Sequence, residues 1–264
     1  MTIGILGCGW YGKALGRALA AKGFTVKGSA TSADKLGALA DLGILPFEVC
    51  AEADSLNADP AFFDCDILVI SIPPRFRKGE TADFLPKLGH IIDAIKQQGI
   101  KKVIYISSTG VYGDTNREVN ELSDPQPGSE TGAILLEAEK LFEVETGFKT
   151  TILRFGGLIG EGRNPGRFFA GKTGIPNGRA PVNLISLDDC VGITEAVISK
   201  DAFGQVFNAC SPEHPPKTEF YRAAAAKAGL SLPEFIDELL EWKIVNSVNV
   251  PEILGYHFMI SLSA

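Results

Sequence analysis

The sequence predicts an α/β protein built on a Rossmann-like doubly wound parallel sheet with a small C-terminal annex. Apolar runs of strand length alternate with helical patterns through the first 155 or so of the 264 residues. Such alternation implies right-handed crossovers and a sheet covered by helices on both faces. After Gly156 a Gly/Pro-rich stretch and shorter elements follow. We therefore expect a core over residues 1–155 and a mixed region over residues 156–264 that interleaves with the last core elements.

Each core element has a local signal. The run Asp66–Ile72 is nearly continuously apolar, as expected for a strand buried on both faces. Ser32 is predicted to cap the second helix, and Gly43 and Gly99 to end two helices. The predicted strands are Thr2–Leu6, Phe24–Ser29, Ile44–Val49, Asp66–Ile72, Val103–Ser107 and Thr150–Phe155, and the predicted helices are Lys13–Lys22, Ser32–Leu42, Thr81–Gln98 and Glu130–Glu145. The second half is predicted to hold strands at Val182–Ile185 and Gln205–Ala209, helices near Asp188–Ser199 and Thr218–Lys227, and a loosely patterned tail.

Composition excludes several classes of function. The net charge of −7 gives no bulk electrostatic footprint for nucleic acid or anionic membranes. No apolar run approaches the roughly 20 residues of a membrane helix, and Thr2–Leu6 leads directly into a glycine turn rather than a signal peptide. The five cysteines lack C-x-x-C spacing and the three histidines lack ligand spacing. We expect a soluble, cytoplasmic protein with reduced thiols and no metal, nucleic-acid or membrane partner.

The first strand ends in a glycine turn, Gly7-Cys8-Gly9-Trp10-Tyr11-Gly12, which opens a helix. In this G-x-G-x-x-G motif Gly7 permits the tight turn, Gly9 lets the backbone approach a pyrophosphate, and Gly12 lets helix and strand pack closely. The helix N-terminus offers N–H groups and partial positive charge to phosphates. The motif, including Trp10 and Tyr11, predicts a dinucleotide site in a Rossmann core. The alternative is a tight structural turn without a ligand.

The end of the second strand favours NADP over NAD. In NAD-binding proteins an acid near this point binds the ribose 2′-hydroxyl. No acid occurs here before Asp34, and Ser29, Thr31 and Ser32 could donate hydrogen bonds to a 2′-phosphate. NAD remains the alternative cofactor, and a loop that does not contact the ribose remains the alternative structure.

Later motifs resemble the extended short-chain dehydrogenase/reductase superfamily, in particular its epimerase/dehydratase group. They are Ser107-Ser108-Thr109-Gly110-Val111-Tyr112-Gly113, the stretch from Leu153 to Arg163, the stretch from Val182 to Asp189, and Leu254-Gly255-Tyr256. The segment Gly166-Arg167-Phe168-Phe169-Ala170-Gly171 is most similar to the atypical, YeeZ-like branch of that superfamily. The motifs span nearly the whole chain in order.

The resemblance implies roles for individual residues. Ser108 falls on the family's active-site Ser/Thr, and Phe155 would lie beside the nicotinamide. Asn183, within the family-like stretch after Val182, becomes a candidate substrate-binding residue. The end of the fourth strand would pass the adenosine and ribose of the cofactor, through Ser71, Ile72 and Pro73.

The family's catalytic Y-x-x-x-K pair is missing. Thr131 stands in place of the tyrosine and Leu135 in place of the lysine. A threonine hydroxyl is a far weaker acid than a phenol, and leucine supplies no charge. Tyr112 is a conceivable surrogate, although it matches the family's structural tyrosine. Without the pair, Ser108 either binds ligand or satisfies backbone groups at the strand end.

A basic stretch interrupts the acidic chain. Residues 162–187 contain no Asp or Glu but four basic residues, Arg163, Arg167, Lys172 and Arg179. By resemblance this stretch is the substrate lid, and its guanidinium groups suit an anionic substrate such as a nucleotide-linked sugar. A solvated loop is the alternative. The run Arg75–Lys78 could serve either cofactor or substrate, or be a solvated loop.

Two functions follow from these observations. The first is an NAD(P)-dependent oxidoreductase or epimerase-like enzyme that acts on a nucleotide-linked sugar or similar anionic carbonyl compound. The second is a non-catalytic NADP-binding redox sensor or scaffold, which the replacements Thr131 and Leu135 favour. By analogy with the family, helices Thr81–Gln98 and Glu130–Glu145 would pair two subunits into a homodimer.

Overall fold

The computed structural model describes residues 1–74 and 82–262. Within them the strands are β1 (Thr2–Leu6), β2 (Thr25–Ala30), β3 (Leu45–Ala51), β4 (Leu56–Ala58), β5 (Ile67–Ile70), β6 (Lys102–Ser108), β7 (Arg117–Val119), β8 (Lys149–Phe155), β9 (Gly157–Ile159), β10 (Leu184–Ser186), β11 (Val206–Ala209) and β12 (Lys243–Val245). The helices are α1 (Trp10–Ala21), α2 (Gly37–Ala40), α3 (Phe84–Gln98), α4 (Glu130–Glu143), α5 (Leu187–Ser199), α6 (Lys217–Lys227) and α7 (Asn249–Leu254).

The main sheet has eight strands in the order β11-β8-β6-β5-β1-β2-β3-β4. Strands β6, β5, β1, β2 and β3 pair in parallel, whereas β4 returns antiparallel to β3. The chain leaves β1 toward β2 on one side and later reaches β5 on the other side. The order therefore reverses at β1, and α/β sheets bind ligands at such a point. The predicted doubly wound α/β fold is confirmed.

Helix α3 shows why the sequence folds this way. Its buried residues recur at helical spacing on one face, at Phe84, Leu88, Ile91, Ile92 and Ile95. They pack into the core of the sheet with apolar residues of β5 and β6. Fully burying each such side chain contributes about 1.5–3 kcal/mol. The helix ends at Gly99, whose φ of 71° is the left-handed conformation that glycine adopts without strain, so the predicted stop is confirmed.

The prediction of one continuous helix from Ser32 to Leu42 is wrong. The chain instead makes a short 3-10 turn, Ala33–Lys35, and then the single-turn helix α2. Ser32 lies at the cap position, but its side chain makes no capping bond and instead hydrogen-bonds the Asp34 carboxyl. A backbone that lacks this cap and contains Gly37 has little to stabilise a continuous helix.

The chain divides into two compact units. The first comprises residues 1–107, 129–153 and 194–206, and the second comprises residues 108–128, 154–193 and 207–264. The core of the second unit includes Ile159, Val182, Leu184, Phe220 and Tyr221. In the structure, segments 108–128 and 194–206 each belong to a different unit from the residues that flank them, and the boundary expected at residue 155 stays a prediction.

Helices α3 and α4 pack side by side within the first unit. The pairing of these two helices between subunits stays a prediction. In residues 1–74 and 82–262, the structure contains no helix that is both apolar enough and long enough to cross a bilayer.

Candidate functional site

The glycine turn has the geometry that a pyrophosphate site needs. Gly7 has a φ of 97°, and a Cβ there would lie 2.7 Å from the Ser71 carbonyl oxygen. A Cβ on Gly12 would lie 2.5 Å from the Gly7 carbonyl oxygen. The fold itself therefore requires both glycines. Above Gly9, in contrast, a Cβ would meet no atom within 4 Å, so this position is open for the close approach of a ligand.

Ser29 fixes the turn in place. Its buried hydroxyl accepts a hydrogen bond of 2.9 Å from the Gly7 N–H, and its carbonyl accepts one of 2.9 Å from the Cys8 N–H. The turn also closes on itself through a 2.8 Å bond from the Gly9 N–H to the Gly7 carbonyl. Ser29 therefore positions the loop, and its contact with a cofactor stays a prediction.

The N-terminus of α1 follows this turn directly. Gly9 is the cap residue and has no side chain to occupy the position, and the first turn contains no acidic residue. Lys13, at the end of that turn, lines the same cleft. A helix end with an adjacent ammonium group is a site for a phosphate.

The cleft occupies about 770 Å³ at the carboxyl ends of β1, β2, β3 and β5. That volume lies within the range of cofactor pockets. The described lining includes three lysines and one carboxylate, so it favours an anion. Of the predicted cofactor residues, those in the lining are Gly7, Gly9, Trp10, Ser29, Thr31, Ser71, Ile72 and Pro73.

The other predicted cofactor residues do not line the cleft. Tyr11 is buried, and its hydroxyl shares a 2.7 Å hydrogen bond with Thr194 Oγ1. Gly12 provides helix–strand packing, and Ser32 bonds Asp34. Phe155 is buried in the second unit. Direct cofactor contact by these four residues stays a prediction.

Sequence reasoning missed the basic side chains of the cleft. Lys13, Lys35 and Lys87 line it, together with Cys50 and Glu52. Lys13 directly follows the glycine motif and Lys35 lies five residues beyond β2, so both were visible near elements already identified. Lys87 and Glu52 come from elements distant in sequence, and only the fold brings them together.

Ser108 begins the second unit, at the end of β6. Its Oγ accepts a 3.1 Å hydrogen bond from the Gly110 N–H and caps the 3-10 turn Thr109–Val111. This arrangement satisfies a backbone group at the strand end. The side chain is half-buried, and its hydroxyl hydrogen is still able to donate to a ligand.

Tyr112 lies in a buried polar network of the second unit. Its hydroxyl accepts a 2.6 Å hydrogen bond from Arg154 Nη1 and lies 3.0 Å from the Asn120 carbonyl and 3.2 Å from Asn208 Oδ1, to which it can donate. Burial raises the pKa of the Tyr112 phenol, although Arg154 opposes the rise. A buried, fully bonded and neutral phenol suits a structural role, which favours the structural alternative for this residue.

Thr131 and Leu135 lie on α4 in the first unit. Ser129 caps this helix by accepting a 3.1 Å hydrogen bond from the Gly132 N–H, and Thr131 is exposed in the first turn. Leu135 is buried on the inner face. The two positions therefore carry neither a phenol nor an ammonium group.

The basic stretch, residues 162–187, is an ordered part of the second unit. Asn164 Oδ1 accepts a 2.8 Å bond from the Gly166 N–H, and a Cβ on Gly166 would lie 2.5 Å from the Ala224 carbonyl of α6. This close packing fixes the backbone on which Arg163 and Arg167 are exposed. The stretch then runs beside residues 231–238 through backbone hydrogen bonds, such as the 3.1 Å bond from the Ile175 N–H to the Glu234 carbonyl.

Asn183 has a structural task in the second unit. Its Nδ2 donates to the Lys243 carbonyl at 2.9 Å, and its Oδ1 accepts from the Val245 N–H at 2.8 Å. Both ends of the amide thus hold β12, and a substrate contact by Asn183 stays a prediction. The predicted run Arg75–Lys78 lies outside the described residues. Among those that are described, no group of three or more His, Cys, Asp or Glu side chains could hold a metal ion.

Comparison with known proteins agrees with this geometry. A family model described as NAD(P)H-binding matches residues 7–186, which begin at the glycine turn and make up more than half of the chain. The chain belongs to the NAD(P)H-binding family. The prediction that the chain binds a nicotinamide dinucleotide is therefore confirmed, while the preference for NADP over NAD stays a prediction.

This NAD(P)H-binding protein is similar to protein YeeZ of Escherichia coli (strain K12), with 35% identity over 97% of the chain and 95% of YeeZ. The predicted resemblance to the YeeZ-like branch is thus confirmed. A conserved protein of unknown function from Silicibacter pomeroyi has a similar structure, with a TM-score of 0.79 and 26% identity over 97% of this chain and 93% of that one. UDP-glucuronic acid 4-epimerase from Bacillus cereus, solved with NAD, shares the epimerase-like fold at a TM-score of 0.80 and 20% identity, over 100% and 95% of the two chains.

Proposed function

We propose that the cleft of the first unit binds NADP, with the diphosphate over Gly9 at the N-terminus of α1. The observation that carries this proposal is the open space above Gly9 beside a helix end that has no acidic residue in its first turn. Lys13 adds a positive charge at the same place. The residues present therefore fit a dinucleotide.

The choice of NADP is supported at the end of β2. Thr31 and Lys35 line the cleft there, and they can donate to or pair with a 2′-phosphate. Asp34, the first acid after β2, does not line the cleft. An acid at this point is what an NAD-specific protein uses to bind the ribose 2′-hydroxyl. NAD is the alternative cofactor.

We further propose an oxidoreductase or epimerase-like reaction on a nucleotide-linked sugar or similar anionic carbonyl compound. The bound nicotinamide would supply hydride transfer. In the second unit, Arg163 and Arg167 would bind the anionic group of the substrate, and the Ser108 hydroxyl would donate a hydrogen bond to its carbonyl or hydroxyl oxygen. The close packing of the Gly166 backbone on α6 supports this role, because side chains carried on a fixed backbone leave less conformational entropy to be lost on binding. The B. cereus structural neighbour is itself a nucleotide-sugar epimerase.

The second candidate is an NADP-binding sensor or scaffold without turnover. The observation that favours it is α4, where Thr131 and Leu135 stand in place of a phenol and an ammonium group. Both candidates require the same cofactor cleft. The cytoplasmic location stays a prediction under either one.

Titration of NADPH and NADH, followed by nicotinamide fluorescence, tests the cofactor proposal. We expect tighter binding of NADPH and a loss of at least about tenfold, or about 1.4 kcal/mol, for both coenzymes in Gly9→Val, because its side chain enters the diphosphate position. Gly89→Ala is the matched control, since a Cβ there also meets no atom within 4 Å but lies on α3 at a position that does not line the cleft. Equal or tighter NADH binding would refute NADP, and unchanged binding by Gly9→Val would refute the site.

Turnover separates the two candidate functions. The wild type is incubated with NADPH and with NADP, each with a panel of UDP-linked sugars, and absorbance at the nicotinamide band is followed together with product analysis for epimers. Consumption or formation of NADPH, or a new epimer, supports the enzyme. Tight coenzyme binding without any reaction across the panel supports the sensor.

A further inference from the structure

The edge of the main sheet carries a hairpin that reaches the cofactor cleft. Strand β3 pairs antiparallel with β4, with Val49 opposite Ala58 and Ala51 opposite Leu56. The connecting turn, residues 52–55, is closed by a 2.8 Å hydrogen bond from the Glu52 N–H to the Ser55 carbonyl. This turn places the Glu52 carboxylate at the cleft, and Glu52 is the one acidic residue among the described residues that line it.

Helix α3 holds this turn from one side. Lys87 Nζ lies 3.6 Å from Glu52 Oε2, and His90 Nε2 donates to the Ala53 carbonyl at 3.3 Å. Lys87 and His90 are three residues apart and therefore share a face of the helix. The Lys87 side chain is only 14% exposed, against 65% for Glu52, so the ammonium group is the confined partner of the pair.

The same turn is tied to the end of β2. Strands β2 and β3 pair in parallel, with Ala30 opposite Glu48, so their carboxyl ends lie side by side. Cys50 Sγ donates a 3.5 Å hydrogen bond to the Thr31 carbonyl, which joins the two ends directly. Glu52 follows Cys50 by two residues, and the ribose of a dinucleotide binds at the end of the second strand. Glu52 is therefore on the side of the cleft where the ribose of a dinucleotide would bind.

We propose that the Lys87–Glu52 pair is a specificity-determining element of the cleft. Glu52 alone would repel a ribose 2′-phosphate, and Lys87 neutralises it, so that the phosphorylated coenzyme is accepted. This inference rests on the proposed binding of a nicotinamide dinucleotide. Because NADPH and NADH share every other group, the ratio of their dissociation constants isolates the effect of the pair on the 2′-phosphate.

The test is a double-mutant cycle. Lys87→Met keeps the unbranched stem, which is mostly buried, and removes the charge; Glu52→Gln removes the opposing charge. We expect Lys87→Met to weaken the binding of NADPH relative to that of NADH by about three- to tenfold, because the partly exposed Glu52 carboxylate is then left without its opposite charge. The double variant should recover most of the wild-type ratio. Competition by 2′,5′-ADP against 5′-AMP should show the same pattern without the nicotinamide.

Lys96→Met is the matched control, because Lys96 lies on the same helix and pairs with Glu145 at 2.6 Å, outside the cleft lining. An equal loss for both coenzymes in Lys87→Met, or a double variant no better than Lys87→Met, would overturn the inference. Thermal melting without ligand checks that each variant folds. The affinity for 2′,5′-ADP is expressed as a ratio to that for 5′-AMP, so a general loss of affinity does not change it. A wild type that binds neither coenzyme refutes the proposed function itself, whereas normal wild-type binding with an unaltered ratio in Lys87→Met refutes only the pair.

Discussion

Asp189 should be the main attachment point of the C-terminal segment in the second unit. Its buried carboxylate accepts hydrogen bonds from Ser186 Oγ at 2.7 Å, from the Tyr256 hydroxyl at 2.9 Å and from the Met259 N–H at 2.7 Å. Tyr256 packs so closely there that a Cβ on Gly192 would lie 2.5 Å from its hydroxyl oxygen. One carboxylate thus holds two points of residues 255–262 against α5.

The energetic effect follows from these three bonds. Each contributes about 1–1.5 kcal/mol net, so Asp189→Ala should lower the free energy of unfolding by about 3–4.5 kcal/mol. Tyr256→Phe removes one bond and should cost about 1–1.5 kcal/mol. The neighbouring Asp188 is exposed, and Asp188→Ala should change stability by less than about 0.5 kcal/mol.

Thermal melting and limited proteolysis measure the effect. A loss of about 3–4.5 kcal/mol corresponds to a fall in Tm of about 10 °C for a chain of this size. Early cleavage after residue 254 should accompany it, because the released segment becomes accessible to protease. A Tm for Asp189→Ala equal to that of Asp188→Ala would refute the reasoning.

Three further predictions concern the second unit. Gly166→Ala should destabilise the protein by about 1–3 kcal/mol in chemical unfolding, because its Cβ would lie 2.5 Å from the Ala224 carbonyl, whereas Gly147→Ala meets no atom and should be neutral; equal midpoints would contradict this. Burial lowers the pKa of His214 below 6.5, so its contribution to stability is present above that pH and is lost as the pH falls toward the folded-state value; a stability–pH slope unchanged in His214→Gln would disprove it. Replacing Arg163 and Arg167 with Ala should weaken UDP binding about tenfold in calorimetry and leave NADPH binding intact; unchanged UDP affinity would exclude them as the anion site.

The sequence predicted those parts of the fold that are determined by interactions among residues close together in the chain. The apolar run at β5, the glycine turn after β1 and the left-handed stop at Gly99 each have a cause within a few residues. Strands β7 and β12, of three residues each, were missed because they are too short to show a period. They pair across more than 120 residues, so only the tertiary fold defines them.

For the candidate site, the sequence motif indicated the glycine turn that now lines the cleft. The motif predicts a glycine at position 9 whose backbone a ligand can approach closely, because a pyrophosphate site requires such an approach. The side chains that set the charge of the cleft, such as Lys87 and Glu52, could not be predicted, because their approach depends on how α3 packs on the hairpin. Asn183 and Tyr112 matched family motifs, yet their polar atoms serve the scaffold.

The shortness of β4 affects how this protein meets other chains. A long, exposed edge strand presents a row of unpaired main-chain donors and acceptors, with which a strand of another chain can pair to begin a fibril. Here the last strand beyond β3 is only three residues long and ends at Ala58, just before Pro60. This edge strand therefore offers an incoming peptide few backbone hydrogen-bonding groups, and association through the edge would have to rely on side chains.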